Sequence, residues 1–132
     1  MANRDFKDVQ ALAREIKLIA GRIDLTDKDN PVIASVTVNG QSVNDGLGFT
    51  VAKDGTGKYK ITLDDKYYGV LFAGANFNRN ATTARVCQVK SHTVTTTKEI
   101  EIETLNGSLA AADPVNGSEI TFMLALRNST AL

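Results

Sequence analysis

Tryptophan is absent from these 132 residues, and cysteine and histidine occur once each, as Cys87 and His92. One cysteine excludes an intramolecular disulfide, and the chain suits a reducing cytoplasm. One histidine has no His or Cys companion to share a metal with and no oriented partner to make it a catalytic base. Aromatics are only 6% of the chain, too few for a surface on which bases or sugars would stack. Fifteen basic residues cancel fifteen acidic ones. That balance argues against binding nucleic acid or an anionic membrane through bulk charge, and it lowers the repulsion between copies. No apolar run approaches the length of a membrane span. The N-terminus carries Arg4, Asp5, Lys7 and Asp8 instead of the apolar core of a secretory leader. These absences point to a non-enzymatic chain with no cofactor and no metal.

A 42% apolar content in a chain of this length is enough for one domain with a real core. The organising stretch is Gly55 to Phe77. Tyr59, Ile61 and Leu63 alternate with Lys58, Lys60 and Thr62, which is the period of a strand with one wet face. Asp64-Asp65-Lys66 breaks the run. Val70-Leu71-Phe72 then begins a nearly continuous apolar segment, as expected of a strand buried on both faces.

Before it, Val9, Leu12, Ile16, Ile19 and Ile23 recur at spacings of three, four, three and four. This is a helical seam, widened by Phe6, Ala13 and Ala20, with Gly21 as its stop. It predicts an amphipathic α-helical arm over residues 1–23, packed either on its own domain or on another subunit.

Residues 24–132 read as the β domain. Arg22–Thr26 alternates as a short first strand. Val32–Val38 is rich in β-branched residues, and Asn39-Gly40 turns it into Gln41-Ser42-Val43. Phe49–Lys53, Lys58–Leu63, Tyr68–Asn78 and Arg85–Val94 follow, with Val86, Gln88 and Lys90 on one face of the last and Cys87 and Val89 on the other. Glu99–Glu103 places isoleucines in and glutamates out. Ile120, Phe122, Leu124 and Leu126 give the last core-facing strand. About eight short strands joined by turn-rich loops predict a mainly β fold, an antiparallel β-sandwich or jelly-roll-like domain. The alternate positions of the last strand, Thr121, Met123 and Ala125, carry no charge, so that face is expected to be covered by a neighbour.

Other chemistry is thin. Asp24, Asp27 and Asp29 lack the glycine and terminal glutamate of a calcium loop. The glycines at 46, 48, 55 and 57 precede no helix, so they make no phosphate cradle. The Asn-x-Ser/Thr triplets at Asn80, Asn106, Asn116 and Asn128 read as turn chemistry.

The stretches GFTVAKDGTGKYKITLDDKY (48–67), VKSHTVTTTKEIEIETLN (89–106), AADP (111–114) and ITFMLALRNS (120–129) together resemble small virion structural proteins of tailed bacteriophages, of the capsid decoration or cement type. The resemblance covers residues 46–130. It implies a protein made in the host cytoplasm that binds the major capsid protein on the outside of the assembled head, commonly as a homotrimer, and stabilises the shell. Under that implication Phe6, Val9, Leu12, Ile16 and Ile19 contact other chains, and Tyr68, Phe72, Met123 and Ala125 form the trimer wall. The alternatives are another virion module, such as a head-fibre base, tail or spike component, and a trimeric sandwich that binds a receptor or glycan.

Overall fold

The computed structural model describes residues 16–78 and 85–128. Ten strands run through them: β1 (Ile16–Leu25), β2 (Val32–Ile33), β3 (Ser35–Val38), β4 (Gln41–Asn44), β5 (Phe49–Lys53), β6 (Lys58–Leu63), β7 (Gly69–Asn78), β8 (Val86–Thr93), β9 (Glu99–Leu105) and β10 (Ser118–Arg127). They form two four-stranded antiparallel sheets, in the orders β2-β1-β10-β7 and β5-β6-β9-β8, and a separate two-stranded hairpin, β3-β4.

One core lies between the two large sheets. Ile19, Ile23 and Leu25 of β1 and Ile120, Phe122, Leu124 and Leu126 of β10 meet Phe49, Tyr59, Ile61, Leu63, Ile100 and Ile102 from the other sheet. Period-2 alternation does the sorting, since every second residue of β6, β9 and β10 is buried. Phe49 and Phe122 cross the core edge-to-face, centroids 4.9 Å apart.

The predicted helix is corrected over its last eight residues. Ile16 to Ile23 belongs to a ten-residue strand paired with β10 from Ile16–Arg127 to Leu25–Ser118. The remaining part of the expected helix, with Phe6, Val9 and Leu12, lies outside the described residues. The error has a physical reason. A separation of four, as between Ile19 and Ile23, keeps two residues on one face of a helix and also on one face of a strand. Three β-branched isoleucines and ten partners on β10 decide for the strand. Gly21 is accordingly not a helix stop. It sits opposite Phe122, and a Cβ there would come within 2.5 Å of the Phe49 ring. Its bareness is what admits that ring to the core.

Two further expectations change. Val32–Val38 is not one strand, because its partner changes at Ala34: β2 pairs with β1 and Ala34 still bonds the Arg22 carbonyl, whereas from Ser35 the chain pairs with β4. The apolar run after Val70 is not buried on both faces. β7 is an edge strand, and its ladder with β10 skips Leu71, which bulges between Val70 and Phe72. Leu71 and Phe72 are both about half exposed.

Candidate interaction surfaces

The outer faces of the two sheets differ in chemistry. On the second sheet, Lys58 stands opposite Glu103 and Lys60 opposite Glu101, and Lys60 and Lys90 make ion pairs with Glu99 and Glu101 at 3.5 and 3.4 Å. Exposed pairs of this kind add little stability, but they keep the face hydrated.

The outer face of the first sheet is divided. Register places Leu18, Ala125 and Phe72 in one row across β1, β10 and β7, and Ala20, Met123 and Gly74 in the next. Then the character switches: Arg22, Thr121 and Asn76 form the third row and Asp24, Glu119 and Asn78 the fourth. Arg22 bonds both Asp45 and Glu119, and Asn78 donates to Glu119 at 2.9 Å. The first two rows therefore make an uncharged band about 10 Å wide at the backbone. Leu18, Phe72 and Met123 are each about half exposed within it. The Phe72 ring folds over Gly74, where a Cβ would stand 2.8 Å from its edge. Leu71 and Tyr68 extend the apolar surface at the β7 edge.

A second uncharged surface is the β3–β4 hairpin. Asn39 and Gly40 both take positive φ, 51° and 79°, the two-residue turn that matches strand twist. Val36 faces Val43 and Val38 faces Gln41, so all three valines lie on one side. They are 42% to 49% exposed. The root is firmly held. The Arg22 N–H donates to the Asp45 carbonyl, the Ala34 N–H to the Arg22 carbonyl and the Asp45 N–H to the Ala34 carbonyl, at 2.9, 2.8 and 2.7 Å.

At one end of the body, polar groups lock the long 106–117 loop. Asp113 accepts from the Gly57 N–H at 2.7 Å and pairs with Lys53 at 2.9 Å. Thr104 Oγ1 donates to the Ala112 carbonyl at 2.7 Å, and the Tyr59 hydroxyl donates to the Lys28 carbonyl at 2.8 Å. Burial alone would raise the Asp113 carboxyl, but the Gly57 N–H, Lys53 and Lys28 outweigh it and hold it below its ordinary range. Asp29 is lowered by Lys53 and then Lys28, and Asp27 by Asn30 and the Asp29 N–H. Burial pushes the Tyr59 hydroxyl up to about 12. Lowered carboxyls contribute stability that is complete above the ordinary carboxylate pKa, about 4, and lost as pH falls through the folded values. Thermal melts should accordingly be level from neutrality to about pH 5 and fall steeply below about pH 4. Asp113→Asn should lower the neutral plateau and soften that acid slope; an unchanged slope would exclude Asp113 from the acid response.

The residues singled out in the sequence fall into groups. Phe72, Met123 and Ala125 come together in the uncharged band, with Tyr68 at its margin. Ile16 begins β1 beside Arg127, at the band's edge. Ile19 is corrected: it is 3% exposed, used up in the chain's own core, and has no surface to offer a neighbour. Leu18, Val36, Val38 and Val43 add to the exposed apolar surface. Leu18 is hidden by a helical reading of β1, whereas ten successive uncharged residues from Ser35 to Asn44 flag the hairpin.

The remaining polar candidates have structural partners. Asp24 accepts from Thr26, and Asp27 from Asp29 and Asn30. The Asn106 side chain accepts from the Ser108 and Ala110 N–H groups, and that of Asn116 from Lys28. His92 is exposed on β8. Cys87 is half-buried, and burial pushes its thiol up to about 11. No group of three or more His, Cys, Asp or Glu is placed to hold a metal among the described residues.

No known family, curated protein or solved structure matches the chain.

Proposed function

We propose that this chain is a decoration, or cement, protein of a tailed-phage head. It binds the major capsid protein on the outer surface of the assembled shell as a homotrimer and stiffens it. The observation that carries this is the uncharged half-face of Leu18, Phe72, Met123 and Ala125, which leaves apolar side chains open after the chain's own core is complete. The resemblance of residues 46–130 to such virion proteins supplies the class of partner.

In this proposal the two sheets make a jelly-roll-like sandwich, the band seals the trimer, and a shortened helical arm before Ile16 reaches neighbouring chains through Phe6, Val9 and Leu12. Such a role demands no reacting group. It demands a stiff body and weak contacts multiplied by valency, because a trimer seated on a three-fold of the shell engages its sites together.

The experiment is to measure mass by light scattering and then titrate the purified protein onto expanded phage heads. A stable trimer that saturates heads at a fixed copy number is expected. A monomer indifferent to heads overturns the proposal, and a few copies per virion would move the chain to a head-fibre, tail or spike position.

A further inference from the structure

The β3–β4 hairpin has no reason within one chain to carry three open valines. Its strands pair only with each other, and a lone two-stranded ribbon is marginal in water. Edges left open to solvent ordinarily carry charge or proline as protection. Ser35 to Asn44 carries neither.

Resting on the homotrimer reading, we propose that this hairpin is an intersubunit clasp: its valine face (Val36, Val38, Val43) seats on the uncharged band (Leu18, Phe72, Met123, Ala125) of a second copy of this chain.

Three observations choose that occupant. The two surfaces match in pattern, since each is two residue rows deep at the same strand repeat, so their side chains can interdigitate as in face-to-face sheets. They match in charge, because neither contains an Asp, Glu, Lys or Arg, whereas the rest of both outer faces is studded with them. And the hairpin does not cover its own band: its three valines and Leu18, Phe72 and Met123 of the band are all exposed in the same chain. A donor surface on the β2 side of the first sheet and an acceptor on that sheet's outer face make a head-to-tail contact, which a ring of copies closes. The root through Arg22, Ala34 and Asp45 keeps the hairpin's direction fixed, so little order must be gained on docking.

The test has two arms. First, V36S/V38S/V43S leaves the body untouched, since all three side chains lie outside the core. Light scattering should drop from three chains to one, with circular dichroism unchanged. Second, in a Cys87→Ala background, a Val43→Cys chain mixed with a Met123→Cys chain should be joined by a short bismaleimide, while each chain alone should not. Val43→Cys linking to itself would indicate hairpin-on-hairpin pairing and overturn the clasp. Linkage within one chain between Leu12→Cys and Met123→Cys would also overturn it, by giving the band to the chain's own first residues. If the unaltered protein is trimeric and the triple variant remains so, the clasp fails and the trimer stands. If the unaltered protein is a monomer, the homotrimer reading itself falls.

Discussion

Met123→Asp is expected to turn the trimer into a folded monomer and to abolish binding to heads. Met123 lies in the middle of the uncharged band, between Ala20 and Gly74 in register and beside the Phe72 ring. In the isolated chain it is about half exposed, so a carboxylate there is hydrated and costs the monomer little. In the assembly the same carboxylate would be desolvated against apolar groups with no cation in its row. Leaving a charge buried and unpaired costs about 3 kcal/mol or more at each contact. That is a loss of at least about 100-fold in association. Thr50→Asp is the control. It adds the same charge to the exposed outer side of β5, on the ion-paired sheet, and should leave mass and head binding unchanged. Mass by light scattering, with a thermal melt of each variant to confirm folding, decides between the outcomes. A Met123→Asp protein that stays trimeric removes the band from the interface.

Gly57→Ala should cause the largest loss of stability among single substitutions outside the apolar core. Gly57 has φ of +68°, which costs a residue with a Cβ about 1–2 kcal/mol. Space adds to that penalty. A Cβ would stand 2.7 Å from the Ala112 nitrogen and 2.8 Å from the Ala112 and Thr104 carbonyl oxygens, all backbone atoms. Relief requires the 106–117 loop to move away from the β5–β6 turn. Such movement breaks the bond from Gly57 N–H to Asp113 and the two bonds between Ala112 and Thr104. A total of about 3–5 kcal/mol is expected, in the range of strained or network-breaking substitutions. For a domain of this size that lowers the melting temperature by roughly 10–20 °C. Gly40→Ala isolates the backbone contribution. Its φ is +79°, but nothing lies within 4 Å of a Cβ there, so about 1 kcal/mol should be lost. Melts at one protein concentration, because assembly itself raises stability, should separate the two variants clearly. Equal losses would mean that the close approach to Ala112 contributes nothing.

Much of the β body is readable without coordinates. β5, β6, β9 and β10 lie where alternation places them, and Asn39-Gly40 makes the expected turn. In each case the deciding interactions are local: solvent on one side of a strand, a left-handed φ at a two-residue turn. The candidate surfaces are less legible. Met123 and Ala125 can be suspected from missing charge on alternate positions of β10. Their alignment with Leu18 and Phe72 needs the register of three strands drawn from both ends of the chain. Leu71 shows the limit at one residue. Nothing in Val70-Leu71-Phe72 announces that the ladder will skip its middle member and turn two successive side chains outward.

By itself, then, the sequence determines a mainly β chain, the spans and wet faces of its central strands, and a near-neutral exterior. Those properties follow from dihedral preference and from the hydration of side chains a few residues apart. Only the tertiary structure decides that Ile16–Ile23 is a strand, that β7 is an edge with an open apolar face, and that β3–β4 stands apart from both sheets. Each of those depends on which distant segment is available as a partner. The spacing of Ile19 and Ile23 satisfies helix and strand alike, and it is β10, about a hundred residues away, that breaks the tie.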